Sequence, residues 1–281
     1  MGRAGAQNQR PFRAVFLGWR RALNTGALAR HLPRLVSAGV LVAIALIAWG
    51  LLLAAAHSMT SMSAPDLPGG SLLLKAAWLM RKPAEAPAYL AVSSLMWVLM
   101  MVAMMTPAVL PVVLLFGRTA NAGAGRMLAF AAGYLGIWSL YGLALTAVQW
   151  ALHQAAFLHS MALKSGPLLA AGLLIAAGIY QFLPFKQACL RHCQSPLAFL
   201  LNHWRDGRMG ALWMGAVHGR YCLGCCWVLM LLMFAGGVMS IGAMAALAAF
   251  ILLERLLPAG FWASAVPGLL LLATGAAMLL A

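Results

Sequence analysis

Seven stretches of this chain are apolar for about the length that a bilayer's hydrocarbon core demands, and that leaves few ways for it to fold. They are residues 35–55, 89–116, 127–150, 165–185, 209–235, 237–254 and 262–281. Charge touches them twice: Arg220 lies inside the fifth, and Glu254 closes the sixth. Backbone in hydrocarbon must satisfy its own N–H and C=O groups, and runs of this length do so as helices. The expected fold class is therefore all-α, a polytopic membrane helical bundle of about seven transmembrane helices, six if 262–281 does not span. Only 8% of the residues are charged, against about 25% in soluble proteins, so an ordinary soluble domain is excluded. Residues 1–34 form a basic tail and 35–281 the transmembrane domain.

Nineteen Lys and Arg against four acids give a formal net charge of +15. In a soluble domain that balance would suggest nucleic acid. Here the basic residues sit in loops and in the tail, so no nucleic-acid partner is expected, and the charges instead orient the chain. With the N-terminus in the cytoplasm, seven fall in the tail, two after the second span, four after the fourth and one after the sixth. Lys75, Arg81, Lys82 and Lys164 fall outside. This asymmetry puts the N-terminus in the cytoplasm. The expected location is the inner membrane of a bacterium, with the lipid bilayer as the first partner.

Within the tail, Phe12, Val15, Phe16, Trp19 and Leu23 recur at helical spacing between arginines. That pattern fits an interfacial helix on anionic headgroups, with a disordered tail as the alternative. A basic stretch this long before the first apolar run does not read as a cleaved signal peptide. Five cysteines, none in an outside loop, argue against a secreted disulfide framework.

The chemistry concentrates in the fifth span, at His218-Gly-Arg-Tyr-Cys222-Leu-Gly-Cys225-Cys226. On a helix His218, Cys222, Cys226 and Met230 follow one row, with Cys225 on the next. Polar groups at membrane depth default to function, and thiol with imidazole is a ligand set for soft metals. Arg220 is the electrostatic candidate: it can bind an anion, keep thiols ionised, or snorkel to the cytoplasmic face. In the second span Met96, Met100 and Met104 form one row and Met101 with Met105 the adjacent one. These are either thioether ligands or flexible packing residues. Both clusters lie at mid-depth, so the two helices can face one another. Pro107 would also free the Ala103 carbonyl there. Cys189 and Cys193, with His192 between them, lie just beyond the fourth span as a secondary metal or thiol site. His57, Met59 and Met62 are weaker capture residues. His153 and His159 read as interfacial.

Some machinery is missing. No phosphate-binding loop or phosphorylation motif supports an ATP-driven pump. No carboxylate is expected within the membrane, Glu254 being at a span end, which argues against proton coupling through buried acids. No catalytic triad or pair can be assembled.

Several of these residues resemble a family of predicted metal-binding integral membrane proteins, DUF2182. The match rests on Met100-Met101-Val-Ala-Met104-Met105-Thr-Pro107, on Lys186-Gln-Ala-Cys189-Leu-Arg-His-Cys193-Gln-Ser-Pro196, and on His218 through Met230. Gly236-Gly237-Val-Met239-Ser240 and Glu254-Arg255 complete it, over about 90–256. Ser240 stands where that family commonly has Asn, and Arg255 where it has Lys. The resemblance implies metal binding without naming the metal.

Together these readings point to a membrane metal-binding protein that handles Cu(I), with zinc as the alternative ion. It would act as a carrier, in delivery or in passive transport, with a metal-donor or metal-acceptor protein as partner. A membrane thiol–disulfide oxidoreductase using Cys222 with Cys225 or Cys226 is the enzymatic alternative, and a structural subunit of a membrane complex is a third. The topology is directly testable. A C-terminal alkaline phosphatase fusion is expected to be active and an N-terminal green fluorescent fusion to glow; a cytoplasmic C-terminus would remove the seventh span or reverse the orientation.

Overall fold

The computed structural model describes residues 10–60, 86–119, 122–159, 163–257 and 261–280. Nine helices occur among them. These are α1 (Arg10–Thr60), α2 (Ala86–Thr119), α3 (Ala124–Gln154), α4 (Pro167–Phe182), α5 (Pro184–Gln194), α6 (Pro196–Asn202), α7 (Gly207–Gly236), α8 (Ile241–Leu256) and α9 (Phe261–Leu280). A two-residue antiparallel pairing, Leu158–His159 with Lys164–Ser165, joins α3 to α4. Residues 1–9 and the segment 61–85, with Met62, Asp66, Lys75, Arg81, Lys82 and Glu85, lie outside the described residues. So do the side chains of Met59, His159 and the tail before His31.

Four helical segments are long and apolar enough to cross a membrane: His31–His57, Pro87–Arg118, Ala124–Gln154 and Gly207–Gly236. A fifth is counted if α4 and α5, bent by 68° at Leu183, form one broken span. The expected sixth and seventh spans correspond to shorter helices. α8 has 16 residues, and at about 1.5 Å per residue it falls short of a hydrocarbon core about 30 Å thick. The described apolar part of α9 runs from Ser264 to Leu280.

Three helices begin on proline, at Pro167, Pro184 and Pro196. Proline suits the first helical position because its missing N–H would have no partner there. The run from α4 to α6 is therefore a series of short, redirected pieces. α7 ends where Gly237 takes φ +95°, a conformation that favours glycine. Ser240 then caps α8, its hydroxyl accepting from the Ala243 N–H at 3.3 Å.

α3 occupies the middle, against α2 on one side and α7 on the other. It meets α7 through glycine. A Cβ built on Gly133 would lie 2.0 Å from the Leu212 carbonyl oxygen, and one on Gly215 1.9 Å from that of Phe130. Small residues at such crossings let helix backbones touch, and that packing drives association where lipid competes for apolar contact. α1 lies outside, burying Leu41, Ala45, Ala48 and Leu52 at helical spacing on α2 while leaving Leu35, Leu46 and Ile47 exposed. The carbonyl of Ala103, released by Pro107 of α2, accepts from the Trp49 indole of α1 at 3.2 Å. That oxygen stabilises a helix contact and is not an uncommitted ligand beside the methionines.

The glycine crossing yields a paired test. Gly215→Ala is expected to lower the thermal midpoint in detergent, since overpacking against rigid backbone costs about 1–3 kcal/mol. Gly136→Ala, whose Cβ would meet nothing within 4 Å, should leave the midpoint unchanged or slightly raised. Equal midpoints for both variants would show that the crossing is not tight.

Candidate functional site

The α3–α7 crossing sets two aromatic side chains of α3 against the thiol row of α7. His218, Cys222, Cys225, Cys226 and Met230 are all buried. The Tyr134 hydroxyl lies 2.9 Å from the Cys222 sulfur, and the Trp138 indole N–H donates to the same sulfur at 3.1 Å. From α8, Arg255 donates through Nη2 to Cys222 and through Nη1 to the Tyr134 hydroxyl at 3.3 Å. Its Nη2 is also 4.0 Å from the Cys226 sulfur. Donors from two neighbouring helices therefore converge on one sulfur, an arrangement suited to a sulfur that carries negative charge.

The bend at Leu183 brings in a second segment of chain. It turns α5 back onto α7, so Cys189 and Cys193 are buried on a helix rather than placed beyond the span as a separate site. Cys193 acts electrostatically on Cys225 and Cys222 of α7. The Cys225 sulfur lies 3.2 Å from that of Cys226, and its thiol donates to the Cys222 carbonyl at 3.1 Å. Cys189 covers Gly224, where a built Cβ would come within 2.7 Å of its sulfur. The two cysteine groups are one cluster, all free thiols. His192 leaves it: exposed, it stacks flat on Tyr221 with ring centroids 4.4 Å apart.

The guanidinium among the thiols is that of Arg255, while Arg220 is exposed on α7. Beside it Lys186 of α5 and Glu254 of α8 make a buried ion pair at 2.6 Å. Lys186 also donates to Gln181, and Ser264 of α9 donates to the Glu254 carboxylate at 3.4 Å. A buried carboxylate is thus present, contrary to the expectation that placed Glu254 harmlessly at a span end. It lies in the last turn of α8, yet α5 and α9 close over it. The positive charges of both Arg255 and Lys186 act on Cys226.

Met100, Met101, Met104 and Met105 are all buried in α2. α3 stands between them and α7, and Met101 packs beside Gly142 of α3. Met105 reaches furthest, accepting from the Tyr134 hydroxyl at 3.8 Å. One hydroxyl therefore touches both a thioether of α2 and a thiol of α7. His218 is enclosed by the rings of Phe130, Tyr134 and Phe199, and neither of its ring nitrogens has a hydrogen-bond partner.

Among the described residues no three His, Cys, Asp or Glu side chains form a ready metal-holding group. The donor chemistry nonetheless fits a soft ion, since Cu(I) is satisfied by a pair of sulfur ligands and adjacent thiols supply one. Tyr134, Trp138, the burial of Lys186 and Glu254 and the contact of Arg255 with the thiols escaped the sequence reading. Lys186, Glu254 and Arg255 had a signal, as charged residues flanking apolar runs. Tyr134 and Trp138 are aromatic residues in an apolar run and had none.

Fold and site together define an all-helical protein whose interior gathers sulfur donors around basic side chains. The chain belongs to the PpoB2 copper chaperone family, whose model matches residues 94–278. That span takes in the methionine rows, the thiol cluster and Arg255. It supplies the metal that the motif resemblance left unnamed. No curated protein and no solved structure matches the chain.

The ion pair makes its own prediction. Lys186→Met should cost about 3–5 kcal/mol, because it leaves the buried Glu254 carboxylate without its cation. Adding Glu254→Leu is expected to restore most of that loss. Unfolding midpoints of the single and double variants check this; a neutral single variant would show the carboxylate to be solvated.

Proposed function

We propose that this protein is an integral membrane copper chaperone that holds Cu(I) in the thiol cluster of Cys193, Cys222, Cys225 and Cys226 and passes it on by ligand exchange. The observation that carries the reading is the gathering of four buried thiols, from two separate stretches of chain, with a partly buried guanidinium against two of them. Cu(I) held by two thiolates carries one excess negative charge, and burying it without compensation would be costly. Arg255, in contact with Cys222 and near Cys226, neutralises it. Neighbouring thiols then let the ion move by replacing one sulfur at a time. His218 adds an imidazole one turn along, and Met105, with Met100, Met101 and Met104 behind it, extends the soft surface into α2. Zinc fits less well, since it favours four ligands in a tetrahedron and no three His, Cys, Asp or Glu side chains among the described residues are placed to share one ion.

In this reading the expected seven spans cross a bacterial inner membrane with the N-terminus in the cytoplasm, local thinning of the bilayer matching the short α8 and α9. The exposed apolar faces meet lipid, and residues 1–34 lie as a basic tail on the cytoplasmic side of the domain at 35–281. A donor or acceptor protein supplies or takes the copper.

Protein purified under reducing conditions is expected to bind about one Cu(I) per chain, given a single sulfur cluster. Cys222→Ser with Cys226→Ser should abolish binding without preventing membrane insertion. Full copper occupancy in that double variant would sink the site. Loss of the protein's free thiols coupled to reduction of a disulfide substrate would instead favour a thiol–disulfide oxidoreductase.

A further inference from the structure

We infer that copper passes between the surface of the bundle and Cys222 along a column of rings formed by His203, Phe199 and His218, with Phe199 as its gate. The inference rests on the copper-chaperone reading and names the route by which its site is loaded. His218 is its inner end. The imidazole is fully buried, its two nitrogens lack partners, and buried polar groups of that kind call for a ligand. It precedes Cys222 by one helical turn on the same row of α7, so an ion leaving His218 meets the thiols next.

Outward from His218 the neighbour is Phe199 of α6, edge-on at 4.9 Å between ring centroids. On the other side of Phe199 lies His203, stacked at 4.7 Å. Phe199 is buried and His203 only partly so. His203 closes α6 and opens the exposed segment Trp204-Arg205-Asp206. Its Nδ1 is 3.2 Å from the Phe199 carbonyl oxygen, which can only accept, so Nδ1 carries the proton and Nε2 keeps its lone pair. Metal-binding histidines are held in just this way, one ring nitrogen donating to a carbonyl and the other left for the metal. Tyr221 walls the column, with centroids 6.0 Å from His203 and 6.3 Å from Phe199.

The parts differ in kind, and each has a use. His203 offers a nitrogen near the surface, and His218 offers one inside, with neither of its ring positions committed to another partner. Phe199 separates them with a ring that excludes water but presents a π face a cation can cross. Rotation of that ring lets the ion through, and its resting position keeps the thiols from the solvent.

The experiment follows Cu(I) transfer from a chromogenic chelator into the full-length protein in detergent by stopped flow, with equilibrium affinity measured by competition against the same chelator. His203→Gln is expected to slow loading about fivefold or more, and Phe199→Ala to speed both loading and release by about as much, since a gate sets rates rather than affinity. Equilibrium affinity should stay within about twofold in both, because the thiols set it. Phe199→Leu keeps the packing without the π face and should load slowly, which guards against a fold defect in the alanine variant. Wild-type rates in all three variants overturn the route, and so does a loss of affinity in His203→Gln matching its loss of rate. Failure of the unsubstituted protein to bind Cu(I) overturns the chaperone reading and the route together, whereas normal binding with unaltered rates removes the route alone.

Discussion

Everything at the centre of this protein depends on two helices whose backbones touch. At Gly133 and Gly215 there is no room for a single methyl group, and that contact fixes α3 on α7 in both height and rotation. One turn from it Tyr134 and Trp138 meet Cys222. A larger residue at either glycine would lift α3 away and take with it hydrogen bonds to Cys222. The same placement gives Tyr134 its reach to Met105, so the only described link between the sulfur of α2 and that of α7 also hangs on the crossing. Association of apolar helices is weakly driven where lipid is the competing solvent. Close backbone packing supplies what apolar burial alone would not.

The second constraint is charge. Arg255, Lys186 and Glu254 lie in an apolar interior within reach of one another's fields, and each finds a partner: the carboxylate holds the lysine, and the guanidinium is held by tyrosine and thiol. Buried ion pairs of this kind seldom add net stability over apolar replacements. In the function proposed above, their presence beside the thiols offsets the charge that a thiolate-held Cu(I) would bring. The net positive charge of the group suits a sulfur cluster that becomes anionic.

Periodicity made part of this visible in advance. The row His218, Cys222, Cys226 and Met230 followed from helical spacing alone, because α7 is long and regular. The break between the fifth and sixth spans at Gly236 was equally readable, whereas the helices starting at Pro184 and Pro196 were not. Cys193 was misplaced because span-drawing assumes that a chain leaving an apolar run leaves the bundle, whereas Pro184 turns α5 back against α7. Arg220 attracted attention as a charge within a span, yet the guanidinium that meets the thiols stands at the end of the next helix. Sequence position along a helix says little about which end residues are closed over by others. The aromatic donors Tyr134 and Trp138 were illegible for a simpler reason: their partner comes from a helix about 85 residues away, and no spacing rule of a single helix relates them.

The turn at Gly237 has a consequence for length. Cys222 stands fourteen residues before Gly236, the end of α7, and Arg255 stands fourteen residues after Ile241, the start of α8. The two legs of this hairpin are therefore equal, and equal rise along each brings guanidinium and thiol level at their far ends, like the tips of a pair of calipers. One residue added to either leg would displace a tip by about 1.5 Å and swing it through about 100°. The hairpin tolerates changes of side chain along its outer surface far better than any change of count, and the measuring is done from the glycine hinge at the opposite end of the helices.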